Sequence, residues 1–232
     1  MHRTSDRWVD LLGLATLVFI LIGLYMAFMY AQTEINMGLV YRIFFFHFGA
    51  IAAGMVAVLV VGIASVGYLR TGARAWDRVA EASAEIGVVF STIGLITGSI
   101  WARPIWGVWW TWDPRLTTFL IMWLIYIAYL MLRASARDDP RVARFAAVFG
   151  IVGVINIPIV IMSARIWRGI SPVLFQQTAE QQITFGLTPE MGQTLAVCIF
   201  AHLLLFAWLL AHRTRLEALR DELMALRRAR AR

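Results

Sequence analysis

Six apolar stretches, at about 11–30, 43–67, 84–100, 117–132, 145–164 and 191–211, fill most of this 232-residue chain and constrain its fold more than any other feature. Each crosses, or nearly crosses, a hydrocarbon core about 30 Å thick, which takes about 20 helical residues. Inside lipid every backbone polar group must be satisfied within the chain, so such stretches form helices. The expected class is an all-α polytopic integral membrane protein with six transmembrane helices. Composition agrees: 60% of residues are hydrophobic and 15% charged, against about half and a quarter in a soluble domain. Six spans with short loops leave no room for a separate soluble catalytic domain. The first stretch follows Arg3 and Arg7. It is longer than a signal-peptide core and no small-x-small cleavage site follows, so it reads as a retained helix.

All 21 basic residues are arginine, and they are unevenly placed. With alternate loops assigned to opposite sides, sixteen fall on the side of the two termini and five (Arg42, Arg103, Arg115, Arg165 and Arg168) on the other. The positive-inside rule then puts both termini in the cytoplasm and the second set on the outer face. The chain divides into a membrane domain, 1–211, and a basic cytoplasmic tail, 212–232. The tail, RTRLEALRDELMALRRARAR, reads as an amphipathic basic helix suited to lipid headgroups or a cytoplasmic partner. The bilayer is thus an expected partner and nucleic acid is not. The single cysteine, Cys198, lies in an apolar run. It excludes an intrachain disulfide, a thiolate zinc site and an iron–sulfur cluster.

Between the third and fourth spans lies WARPIWGVWWTWDPRLTT, residues 101–118. It holds Trp101, Trp106, Trp109, Trp110 and Trp112, five of the ten tryptophans, within twelve residues. An aromatic belt at a bilayer interface accounts for scattered tryptophans but not for this concentration. On a short interfacial helix Trp106, Trp109, Trp110 and Asp113 occupy one face. The expectation is an outer-face tryptophan-rich helix, a flat apolar shelf for a planar hydrophobic ligand. Asp113 followed by Pro114 also reads as the N-cap and first residue of the fourth helix, so Asp113 shapes the segment as readily as it touches a ligand.

WGVWWTWDPRLTT resembles the WWD signature of the haem-handling proteins of cytochrome c maturation, and with six spans the whole chain resembles the CcmC family. The resemblance implies a haem (haem b) held on the outer face, between this segment and histidines of flanking loops. It further implies delivery to a CcmE-like haem chaperone, in association with CcmA-, CcmB- and CcmD-like subunits, in a cell inner membrane. The CcmF and CcsA/ResC relatives share the signature but are larger.

Of the four histidines, His2 and His212 lie on the cytoplasmic side, away from the tryptophans. His47, in YRIFFFHFG, falls about one turn inside the outer end of the second span and matches the family's first axial histidine. An ionisable residue in a span is a functional candidate, and imidazole is a common haem-iron ligand. His202 lies about 16 Å into the sixth span at 1.5 Å per residue. It is expected to sit too deep to share a ligand with His47 and to bond across the bundle, to Asn156 or Ser163. The family pattern places a second histidine in the last outer loop, in a stretch like W-W-x-x-L-H-P. Here the residues are Ile166, Trp167, Arg168, Gly169, Ile170, Ser171 and Pro172, with Ser171 at the histidine position. Met37, Met162 or Met191, water, a partner's side chain, or no second ligand at all (a five-coordinate haem) are the alternatives for the second axial site. The haem propionates call for guanidinium groups: Arg115, which matches the W-D-x-R arginine, then Arg103, Arg165 and Arg168.

No nucleophile triad or phosphate-binding loop is apparent, so the chain is expected to bind and transfer rather than catalyse. Other readings are a CcsA/ResC-type synthetase subunit, disfavoured by size, and a b-type haem electron carrier, which stacks histidine pairs inside its bundle. A small-solute permease would show broken helices, for which only Asn156-Ile157-Pro158 offers a hint.

Overall fold

The structure is a computed structural model. It describes residues 3–35, 37–135, 139–166, 175–177, 183–185 and 187–230, with side chains for 7–35, 37–135, 139–163 and 187–230. Six helices carry the fold: α1 (Arg3–Tyr25, extended by a π-turn Met26–Tyr30), α2 (Ile43–Thr71, preceded by a 3-10 turn Leu39–Arg42), α3 (Arg74–Trp106), α4 (Pro114–Ser135), α5 (Pro140–Ile166) and α6 (Pro189–Arg230). All six include a segment long and apolar enough to cross a membrane. The expected all-α class holds. The α5–α6 connection adds one short antiparallel pair, β1 (Phe175–Gln177) with β2 (Ile183–Phe185).

Local sequence sets the helix boundaries. Asp113 accepts hydrogen bonds at Oδ1 from the backbone N–H groups of Arg115 and Leu116, both 3.0 Å, and Pro114 opens α4. Asp139 does the same for α5, accepting from Arg141 N–H at 2.8 Å ahead of Pro140. Thr188 precedes Pro189 at the start of α6 and accepts from Met191 N–H at 3.3 Å. Each is an oxygen-bearing N-cap followed by proline, which has no N–H to leave unsatisfied in the first turn. At the other ends, α2 stops at Gly72 and α3 at Gly107, with φ of 68° and 75°. Glycine takes that left-handed conformation without a Cβ clash.

Helix α2 is the axis of the bundle. Its buried positions include Gly49, Ala50, Ala53, Gly54, Ala57, Gly62 and Ala64, small residues that let backbones approach where lipid supplies no hydrophobic drive between helices. A Cβ on Gly54 would stand 3.0 Å from Ser91 Oγ of α3, and one on Gly87 would stand 3.0 Å from Ala57 Cβ. The α2–α3 pair is therefore tightly apposed, which matters because two walls of the site come from it. The main core joins Val58, Val61 and Ala84 to Phe119, Met122, Tyr126 and Tyr129 of α4 and Ile157 of α5. Leu11, Leu14, Leu17 and Leu21 of α1 are exposed, as lipid-facing positions are.

At the end of the bundle that carries both termini, Arg133 of α4 is buried and donates from Nη2 to Asp77 Oδ2 and Glu81 Oε2 of α3, each at 2.9 Å. Helix α5 runs through Asn156-Ile157-Pro158 unbroken. Asn156 Nδ2 donates to the Thr118 carbonyl at 2.8 Å, which ties α5 to α4. Helix α6 likewise passes residue 211 without a break, so residues 212–230 prolong the sixth span.

Candidate functional site

The 107–113 segment is not a helix. Helix α3 runs to Trp106 and ends because Gly107 turns left-handed, its N–H bonded to the Arg103 carbonyl at 3.0 Å. The Arg103 guanidinium in turn donates to the Gly107 carbonyl. The expected interfacial helix, with Trp106, Trp109, Trp110 and Asp113 on one face, is thereby corrected. The segment descends irregularly from the end of α3 to the cap of α4, and a turn supplied by one glycine replaces helical periodicity. Its lower end is fixed by Asp113, whose Oδ2 also accepts from Thr111 Oγ1 at 3.0 Å. Both carboxylate oxygens of Asp113 therefore shape the loop and cap the helix.

The irregular path still brings Trp109 and Trp110 over a cleft beside Trp101 and Trp106 of α3. The cleft has about 910 Å³ of space, partly open to the surroundings, and is lined by His47, Trp101, Trp106, Trp109, Trp110 and Arg115, with Asp113 at its edge. Trp101 is buried, with its ring centroid 5.9 Å from those of both His47 and Trp106 and 5.7 Å from Phe44. Trp109 is largely exposed at the mouth. Trp110 and Trp101 each bury an indole Nε1 with no hydrogen-bond partner among the described residues. Trp112 stays outside the cleft, three-quarters exposed, its ring edge-on to Trp110 at 5.9 Å. Arg103 does not line the cleft; it serves the end of α3.

His47 lies one turn into α2, half-buried in the wall. Its Nδ1 is 3.1 Å from Thr97 Oγ1 of α3, and that hydroxyl lies 2.6 Å from the Ile93 carbonyl oxygen. The hydroxyl has one proton and the carbonyl can only accept, so Thr97 donates to Ile93 and accepts from Nδ1–H. This assigns the tautomer by the hydrogen-bond network and leaves Nε2 with its lone pair. The ring is seated against Gly98, where a Cβ would stand 2.9 Å from His47 Cε1.

His202 does not line the cleft. Its Nδ1 is 2.7 Å from the Cys198 carbonyl one turn back in its own helix, where bonds across the bundle to Asn156 or Ser163 were expected. Those two are engaged elsewhere, Asn156 with Thr118 and Ser163 Oγ with the Val160 carbonyl at 2.7 Å. The depth argument also needs correction. His202 packs on Gly49 of α2, only two residues beyond His47. What parts the two imidazoles is α2 itself, since residues two apart on a helix point to nearly opposite sides at 3.6 residues per turn.

Of the methionines considered as ligands, Met37 and Met191 belong to the packed cluster around Phe44, and Met162 is half-exposed; none lines the cleft. Met55, which does line it, together with Thr97 and Gly98, was not picked out from the sequence. Trp167, Arg168 and Ser171, and the side chain of Arg165, lie outside the described residues.

The model of the heme exporter protein C family (CcmC) matches residues 1–229. Heme exporter protein C of Bradyrhizobium diazoefficiens is 38% identical over 164 residues, 71% of this chain and 62% of that protein. The protein of that name from Escherichia coli K12 is 33% identical over 216 residues, 93% of this chain and 85% of its own length. That from Haemophilus influenzae is 29% identical over 221 residues, 95% of this chain and 89% of its own. With six membrane-crossing helices and a family match over nearly its whole length, this multi-pass membrane protein belongs to the heme exporter protein C family.

Proposed function

We propose that the chain binds haem b in the tryptophan cleft, at the extracytoplasmic surface of the cell inner membrane, and delivers it to a CcmE-like chaperone for cytochrome c maturation. It does so as a non-catalytic membrane subunit beside CcmA-, CcmB- and CcmD-like proteins, with any ATP hydrolysis in a partner. Haem here is cargo. The observation that carries the reading is His47, whose Nδ1 is held by Thr97 and whose ring stands in an aromatic wall. An imidazole so fixed offers Nε2 to iron, and partners of this kind orient metal-binding histidines generally. Trp101, Trp106, Trp109 and Trp110 supply the apolar faces that a porphyrin needs. Arg115, in the cleft wall, supplies a guanidinium matched to a propionate. Trp112 covers the rim, and Arg103, Arg165, Trp167, Arg168 and Ser171 are assigned to the outer margin from the sequence. The cleft lies at the arginine-poor end of the bundle, which supports its placement outside and both termini in the cytoplasm.

The test is an absorption spectrum of the purified full-length protein. A Soret band that is lost or sharply reduced in His47→Ala, with the variant inserted and monodisperse, is the expected result. Unchanged haem content in that variant, or no haem in the wild type, would overturn the proposal. A b-type electron carrier is less well supported, because α2 stands between the two membrane-embedded histidines.

A further inference from the structure

At the arginine-rich end of the bundle, α6 continues well past the apolar zone. It spans 42 residues, about 63 Å at 1.5 Å per residue, where the hydrocarbon core takes about 20 residues. One face of this extension is fastened to the projecting first turns of α3. Arg213 donates from Nη2 to Glu85 at 2.8 Å and also pairs with the buried Glu217. Asp221 pairs with Arg78 at 3.1 Å and Arg74 at 3.5 Å. The other face carries four exposed leucines. Leu216, Leu219, Leu223 and Leu226 are 59%, 44%, 58% and 62% exposed. Their spacing of three, four and three residues is that of the a and d positions of a heptad seam. The flanking e and g positions hold Arg215, Arg220, Arg227 and a single acid, Glu222.

We propose that this leucine seam docks an amphipathic helix of a partner protein, apolar along its own seam and acidic along its flanks. The inference does not depend on the haem reading. Charge decides against a second copy of the chain. In parallel pairing, g positions meet e positions of the next heptad, so Arg215 would face Arg220 of the second copy and Glu222 would face Arg227, one repulsion for each attraction. Antiparallel pairing would set the arginine rows of the e positions against each other, which offsets the Arg215–Glu222 attraction of the g positions. An acidic-flanked helix instead meets three guanidinium groups against one carboxylate, Glu222, along its length; one of the three, Arg220, also lies 3.9 Å from Glu217 of its own helix. Geometry decides against the lipid surface. The ion pairs to α3 hold the extension in line with the span, and Leu226 lies about 22 Å beyond residue 211, past a headgroup layer that adds about 5–8 Å per leaflet.

Full-length protein in phosphatidylcholine nanodiscs should be titrated with a fluorescent peptide of about three heptads, leucine at a and d and glutamate at e and g. Saturable binding that weakens with added salt is expected, together with a loss of about tenfold or more in affinity for Leu219→Asp/Leu223→Asp. A peptide with lysine at e and g should not bind. Arg220→Glu/Arg227→Glu should reverse that preference, a gain that misfolding cannot mimic. No binding by the wild type, or equal binding by wild type and both variants, overturns the proposal. Leucine-dependent dimerisation in sedimentation without peptide would give the seam to a second copy. Quenching by lipid-borne quenchers of a label on Leu226→Cys would lay the helix on the membrane.

Discussion

Thr97 and His47, fifty residues apart in sequence, meet where α2 and α3 pack, with Oγ1 3.1 Å from Nδ1. Because the threonine proton is directed to the Ile93 carbonyl at 2.6 Å, the hydroxyl oxygen faces the ring as an acceptor. It thereby fixes both the tautomer and the orientation of the imidazole. Outer partners of metal-binding histidines change affinity by about 10–100-fold when removed. Thr97→Val, close in size but without the hydroxyl, should therefore weaken haem binding by about tenfold or more and shift the reduction potential of bound haem. Thr97→Ser should restore both. Haem affinity and potential in Thr97→Val equal to the wild type would remove Thr97 from the site while leaving His47 in place.

Gly98 adds a steric test of the same wall. A methyl there would stand 2.9 Å from His47 Cε1, tighter than carbon atoms tolerate, so Gly98→Ala must displace the imidazole. Its control is Gly192→Ala, where an added Cβ meets nothing within 4 Å. Haem titration should show Gly98→Ala well below the wild type and Gly192→Ala level with it. Parity between the two variants would mean that the ring has room the structure does not give it.

Arg133 governs stability rather than binding. Its guanidinium is buried at the end of the bundle opposite the cleft and bonds two carboxylates, Asp77 and Glu81. Arg133→Leu leaves both acids buried against each other, and breaking a buried ion pair by removing one partner costs about 3–5 kcal/mol. Unfolding in mixed micelles with rising denaturing detergent should shift accordingly, with haem binding retained under mild conditions. Removing the acids as well, as Asp77→Leu/Glu81→Leu in the same background, should recover much of the loss. A single variant as stable as the wild type would contradict the pairing.

The spans were legible because lipid permits only a narrow grammar of long apolar runs, and Asp113 with Pro114 was legible as a cap because capping is local. The same grammar recurs at Asp139-Pro140 and Thr188-Pro189. The path of the tryptophan segment was misread because helical spacing fits WGVWW whether or not a helix forms. Only Gly107 in the left-handed region decides it. Thr97 gave no signal, since a threonine in an apolar helix ordinarily bonds back to its own turn, as this one also does. Its second contact exists only once α2 lies on α3. The partners of Arg133 were hidden for the same reason: charge counting placed it on a side of the membrane, and packing gave it its two carboxylates.

On the proposed haem reading, Ser171 is the residue on which the iron's second ligand turns. It occupies the position where the family pattern offers imidazole, and His47 is the one histidine that lines the cleft among the described residues. Iron held here should therefore have His47 on one side and a weak, exchangeable or partner-supplied ligand on the other. Ser171→His should convert the isolated protein to a low-spin, bis-histidine spectrum. It should also slow haem release to an acceptor, since a second strong iron–nitrogen bond must then break during transfer. His202→Ala should leave the native spectrum unchanged, because His202 bonds the Cys198 carbonyl and lies across α2 from the cleft. A native bis-histidine spectrum that persists in His202→Ala would assign the second imidazole to a bound partner. One that disappears in that variant would show that α2 and α6 rearrange when haem enters.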